Sequence, residues 1–462
     1  MNPEVTTETT WKRWLQQTVL FDQEPSLELL AILLVYFVQG VLGLARLAVS
    51  FFFKDELGLS PAQVAALMGI VAIPWVIKPL FGFLSDSLPL FGYRRRSYLI
   101  ISGLLGAVSW LLLATVVHRA WQATAAIALG SLAIAVSDVI VDSLVVERAR
   151  QESQSDAGSL QALCWGATAV GGVITAYLSG LLLEHFTTRT IFAITATFPL
   201  IVSAVAILIS EVRVLEQPSL NATWQQIRQV RQALSQKQIW LPVAFLFLWQ
   251  ATPSSDSAFF FFTTNDLGFE PEFLGRVRLV TNLAALLGIW IFQRFLKAIP
   301  VRQIFLWSTL ISAGLGMTTL ILVTHANRSL GIDDHWFSLG DSLILTVMGQ
   351  IAYMPVLVLA ARLCPPGIEA TLFALLMSVS NLAGLLSHET GALLMHSLGI
   401  SDRQFASLWI LVIITNLSTL LPLPLLHWLP DESAPHSPLM PASPASDFAP
   451  PIRETVSLSD VP

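Results

Sequence analysis

Long apolar runs, divided by short polar breaks, make up most of the chain. A helix needs about 20 apolar residues to cross a bilayer. Twelve runs qualify: 27–53, 62–84, 97–117, 121–146, 160–183, 190–210, 239–262, 274–296, 301–324, 338–362, 368–396 and 404–427. A polar stretch from Glu211 to Gln238 separates the sixth from the seventh, and after Pro430 the chain turns Pro/Ser-rich. Such a tail cannot bury enough apolar area to fold. The pattern predicts an all-α polytopic membrane protein with twelve transmembrane helices in two six-helix bundles. Its parts are a segment 1–26, an N-terminal bundle 27–210, a linker 211–238, a C-terminal bundle 239–428 and a disordered tail 429–462. Met1 to Gln23 carries acids and lacks a long apolar core, so it does not read as a signal peptide. Trp11, Trp14, Leu15 and Leu20 suit a short interfacial helix there.

Composition sharpens this picture. The chain is 54% hydrophobic and 12% charged, against roughly 25% charged in a soluble domain, so lipid must be its solvent. A net charge of −6 without a basic stripe excludes nucleic acid as a partner. Cys164 and Cys364 sit in or beside apolar runs and imply buried thiols rather than a disulfide framework. Assigning the loops alternately puts most Lys and Arg, among them Arg94, Arg95, Arg96, Arg148 and Arg302, on the side of the termini. By the positive-inside rule both termini are cytoplasmic, and the sequon Asn221-Ala-Thr223 stays unglycosylated.

An internal repeat is visible. Leu57-Gly58-Leu59-Ser60-Pro61 follows the first run, and Leu267-Gly268-Phe269-Glu270-Pro271 follows the seventh, 210 residues later. Transporters built from two parallel halves carry such weak symmetry.

Ionisable residues inside spans are costly and mark function by default. Arg46 lies in the first run, and the repeat offset maps it onto Asp256 in the seventh, so the two are expected to face each other as an outer gate or substrate clamp. Pro253, just before Asp256, frees a carbonyl and bends that helix. Asp138 and Asp142, four residues apart, share one helix face. They repel in a dry medium, and one of them is expected to carry a proton near neutral pH. Lys78 lies at matching depth and can pair with either, forming a proton-coupling or substrate site. Gln39, Gln350 and Asn381 are polar groups that either join helices or touch substrate. Glu369 suits a helix cap, while Trp165, Trp249 and Trp307 are packing or lining residues. His388-Glu389 lacks the second His of a zinc-protease motif, and no nucleotide loop or metal cluster occurs, so no cofactor is expected and the chain does not read as an enzyme.

Between the second and third runs lies Gly82-Phe-Leu-Ser-Asp86-Ser-Leu-Pro-Leu-Phe-Gly92-Tyr-Arg94-Arg95-Arg96, an acidic turn followed by a basic cluster. It resembles the signature loop of the major facilitator superfamily, in which Gly82, Asp86, Gly92, Arg94, Arg95 and Arg148 would form a cytoplasmic gate. Its Asp and Gly stand farther apart than is usual, and the second-half counterpart, Phe292 to Arg302, lacks both. Trp75-Val-Ile-Lys78-Pro79, Ser137-Asp138-Val-Ile-Val-Asp142-Ser143, Phe273-Leu-Gly275-Arg276-Val-Arg278 and Cys364-Pro-Pro-Gly-Ile-Glu369 resemble the folate–biopterin transporter family, a branch of that superfamily.

The resemblance covers Leu27 to Leu425. It implies a monomeric plasma-membrane carrier of folate or related pterins, coupled to protons and working by alternating access. On that reading Asp138 or Asp142 accepts the paired N–H donors of a pterin, and Arg46 or Lys78 holds the glutamyl carboxylates of folate. A carrier of another organic anion or drug is the alternative. A non-transporting receptor would have no need of such intramembrane charges.

Overall fold

The computed structural model describes residues 25–149, 154–213, 228, 235–296, 299–362 and 369–429. The N-terminal segment, most of the linker with its sequon, Cys364 and the tail beyond Leu429 lie outside them.

Among the described residues, ten helices are long and apolar enough to cross a membrane. They are α1 (Leu27–Glu56), α2 (Pro61–Ser85), α3 (Arg96–Thr115), α4 (Ala120–Ala149), α5 (Gln154–His185), α6 (Thr188–Leu208), α8 (Pro271–Leu296), α9 (Val301–Val323), α10 (Asp334–Arg362) and α12 (Leu408–Trp428). Two more helical segments lie between them. α7 is divided into Lys237–Gln250 and Asp256–Phe261, and α11 is Glu369–Ser397.

The helix starts follow local chemistry. Ser26 caps α1 by accepting from the Leu29 N–H at 3.1 Å. Ser60 and Gln63 form a capping box at α2, with Pro61 in the first turn.

The 210-residue repeat holds in the backbone. α1 ends in a π-helical turn, Phe52–Glu56, and α7 is followed by one at Phe262–Asp266. The next glycines, Gly58 and Gly268, have φ of 64° and 68°, a conformation only glycine adopts freely. Corresponding hydrogen bonds follow, Leu57 N–H to Phe52 O and Leu267 N–H to Phe262 O.

The seventh run, expected as one bent helix, is broken outright. Pro253 has no N–H to give the Trp249 carbonyl, and the backbone from Ala251 to Ser255 leaves the helix. Helix α11 satisfies it: the Ser254 N–H donates to Ser387 O at 3.1 Å, and Ser387 Oγ donates to Thr252 O at 2.5 Å. Irregular backbone at membrane depth persists only with such partners.

Within the N-terminal bundle α1 packs on α5, α3 on α4 and α6, and α2 on α4; in the C-terminal bundle α7 packs on α11, and α10 on α8 and α9. The bundles meet through α2 with α11 and α5 with α8. Toward the face where α1 begins and α12 ends, each hydrophobic cluster stays within one bundle: Leu29, Tyr98 and Leu144 in one, Ile239, Phe305 and Val356 in another. Toward the opposite face the clusters mix, with Phe261 among Phe52, Leu113 and Phe192, and Ala65 among Phe262, Leu322 and Met395. The described cores join on that opposite face and are separate on the face where α1 begins and α12 ends.

Candidate substrate and coupling site

Helices α1, α2 and α4 bring three of the expected residues together. Lys78 pairs with Asp138, and its Nζ also lies 4.4 Å from the Trp75 ring centroid, a cation–π contact. Of the two acids it could have paired with, the structure selects Asp138. Asp142 bonds instead to the hydroxyl of Tyr36 on α1. Both acids do lie on one face of α4, as their spacing requires. The Lys78 and Asp138 side chains keep 16% and 15% exposure, whereas Asp142 is exposed. The result is a neutralised ion pair beside an accessible carboxyl with a phenol partner.

Lys78 owes its position to the prolines of α2. The helix breaks at Ile77, between Pro61–Val76 and Lys78–Ser87. Pro79 cannot donate to the Trp75 carbonyl, and Asn381 of the other bundle fills the vacancy through Nδ2 at 3.0 Å. Asn381 therefore joins the halves. Gln350 also lies between helices: its Cβ would be 2.9 Å from a Cβ placed on Gly288 of α8. Gln39 points into its own bundle, lining a small cavity with Ser102, Gly106, Trp110 and Ser137. Its Nε2 is buried without a partner among the described residues. Trp249 is a packing residue, donating to Thr309 Oγ1 at 3.0 Å and stacking edge-on against Phe305.

The expected Arg46–Asp256 pair does not form. Breaking α7 leaves Asp256 at the head of a short helix, its N–H bonded to Ser254 Oγ at 3.2 Å. Arg46 is exposed and has no carboxylate partner among the described residues. Its neighbour is Arg278 of α8, which donates from Nη1 to Gly43 O and Ser179 Oγ, each at 3.4 Å.

The loop expected as a cytoplasmic gate is tied to its own bundle. Phe91 and Gly92 both take positive φ, 54° and 84°, and Leu90 and Tyr93 exchange hydrogen bonds of 3.0 Å around them. This is a tight turn with two left-handed residues. Glu211, just past α6, accepts the N–H groups of Arg94, Arg95 and Arg96 at 2.6 to 3.2 Å, capping α3. Arg95 donates to Ser85 Oγ at 2.8 Å, and Arg148 to Ser26 Oγ at 2.9 Å. A Cβ placed on Gly82 would lie 3.4 Å from Val139 of α4, an ordinary contact distance. The side chains of Asp86, Glu147 and Glu369 lie outside the described residues.

The sequence profile of the BT1 family matches residues 39–437. The chain belongs to the BT1 family. Among relatives of this BT1 protein, a folate-biopterin transporter of Synechocystis sp. is 65% identical over 422 residues, 91% of this chain and 85% of its own length. A putative folate transporter 2 of Plasmodium berghei is 31% identical over 403 residues, 87% and 88% of the two chains. The crystal structure of the nucleoside transporter NupG superposes with a TM-score of 0.65 at 15% identity, covering 87% of this chain and 98% of that one. At that identity the likeness shows fold alone, and the fold is the major facilitator fold expected from the sequence.

Sequence reasoning missed Tyr36, Arg278 and Glu211. A lone phenol within an apolar run was a signal for the first. Arg278 stood in a family-like segment with no role of its own, and the structure places it inside α8, which begins at Pro271. Glu211 reads as an ordinary linker acid.

Proposed function

We propose that this protein is a secondary active transporter of folate or related pterins, coupled to protons and working by alternating access at the plasma membrane. Both termini are cytoplasmic in this reading, the working unit is a monomer, and the structure represents an inward-facing state. The single observation that carries the site assignment is the Lys78–Asp138 pair beside Asp142 and Tyr36. The names of the curated relatives supply the solute class.

The two acids divide the work. Asp142 is accessible and bonded to a neutral phenol, so it is the group that takes the proton; a protonated carboxyl can then be enclosed as the bundles rock. Asp138, planar and oriented by Lys78, presents its carboxylate to the adjacent N–H and amino donors of the pterin ring.

The test is uptake of radiolabelled folic acid into cells expressing the protein, with and without a proton uncoupler. Uptake is expected to collapse with the uncoupler. Asp142→Asn is expected to abolish uphill accumulation while keeping solute exchange across the membrane. Asp138→Asn is expected to lose both. Accumulation that survives in Asp142→Asn refutes the proton role.

A further inference from the structure

We propose that Arg46 and Arg278 together form the carboxylate end of the substrate site and decide between glutamyl-bearing folates and pterins that lack a carboxylate. This rests on the folate reading above and names a determinant within it.

The two arginines come from different bundles and meet at one turn. The Gly43 carbonyl accepts the backbone N–H of Arg46 at 3.2 Å and Nη1 of Arg278 at 3.4 Å. They lie within electrostatic reach of each other, and neither has a carboxylate partner among the described residues. Two like charges within electrostatic reach in a membrane-spanning region repel and are costly to desolvate. The 3.4 Å bonds of Arg278 to Gly43 O and Ser179 Oγ are long for hydrogen bonds, so its fork of donors is not consumed. An anion with planar carboxylates matches both guanidinium groups.

Asp256, the acid the repeat had offered to Arg46, instead heads the short helix of α7. Lys78, the other cation proposed for folate carboxylates, is already paired with Asp138. Among the described residues, Arg46 and Arg278 are therefore the interface cations offered for folate carboxylates that lack a carboxylate partner.

Spacing agrees. Tyr36, which marks the Asp142 end, and Arg46 are ten residues apart on α1, a rise of about 15 Å. In an extended folate the donor edge of the pterin ring and the glutamyl carboxylates are separated by a length of that order. Because Arg278 crosses from α8 to α1 and α5, a carboxylate bound there touches both bundles and favours the closed face. A pterin without a tail engages the acid end only.

The experiment compares folic acid and biopterin uptake in the unaltered protein, Arg278→Gln, Arg46→Gln and Arg278→Lys, each normalised to protein in the membrane. p-Aminobenzoylglutamate serves as a tail-only competitor. Expected are a roughly 10-fold or greater rise in half-saturating folic acid in both Gln variants, loss of competition by p-aminobenzoylglutamate, and biopterin uptake unchanged within about twofold. Arg278→Lys, keeping the charge without the fork, should recover part of the loss.

An equal fall for both solutes, or unchanged folic acid uptake, overturns the proposal. Should Arg278→Gln fail to reach the membrane, Arg46→Gln decides, since its side chain holds no bond among the described residues. Failure of the folate reading itself would appear separately, as no folic acid uptake by the unaltered protein.

Discussion

At the scale of single residues, the site is a matter of which charge finds which partner. The run patterns located Lys78, Asp138 and Asp142, and the four-residue spacing put both acids on one face. Which acid takes the lysine depends on the breaks in α2 at Ile77 and on Tyr36 approaching from α1. Neither is a property of local sequence. The pairing makes a stability prediction. Lys78→Gln removes the cation that pairs Asp138, and Asp138→Asn removes the anion that pairs Lys78. Removing one partner of a buried pair costs about 3–5 kcal/mol; with each side chain still 16% or 15% exposed, ~2 kcal/mol is expected after screening. Thermal unfolding in detergent should show both single variants destabilised and the Lys78→Gln/Asp138→Asn double variant recovering at least half the loss. Additive losses would argue against a direct pair.

At the scale of elements, prolines set the breaks, and polar side chains from distant helices satisfy them. Pro253 and Pro79 are legible as helix breakers, but the side chains that donate to the backbone at these breaks, Ser387 of α11 to Thr252 and Asn381 to Trp75, lie 135 and 306 residues away in sequence. That is why a bent helix was expected and a broken one is found. Ser387→Ala removes the donor to the Thr252 carbonyl, and an unsatisfied buried acceptor costs about 1–3 kcal/mol. A lowered melting temperature is expected, together with reduced uptake. The cap on α3 yields a second outcome. Glu211→Ala withdraws an acceptor from three N–H groups, and a loss of about 1–2 kcal/mol is expected from the N-cap scale. Glu211→Gln, which keeps the acceptor oxygen and drops the charge, should lose less. Equal losses in the two variants would assign the effect to charge alone.

At the scale of the whole molecule, closure on one face depends on two backbones touching. A Cβ on Gly180 would lie 2.2 Å from Pro271 O, and one on Gly275 would lie 2.9 Å from Gly180 Cα. Only glycine allows α5 and α8 this close. Gly180→Val therefore excludes the observed closure and should hold the bundles apart on that face. Folic acid uptake is expected to fall at least about 10-fold, a shift of ~1.4 kcal/mol or more in the conformational balance. A cysteine introduced by Phe51→Cys, beside Phe260 across the interface, should react faster with an external thiol reagent in the Gly180→Val background. An unchanged rate would refute the gating role of this contact.

The order of apolar runs was enough to specify a nearly all-helical membrane fold, because each run must satisfy its backbone internally in lipid and that requirement is local. The repeat of a glycine turn after α1 and α7 was legible for the same reason: positive φ needs glycine wherever it occurs. Tertiary structure alone decided that Asp142 meets Tyr36, that Arg46 stands beside Arg278 rather than Asp256, and that the molecule closes on one face. Each of these joins residues from different helices, and a helix's rotation and tilt are settled by what its neighbours bury and bond.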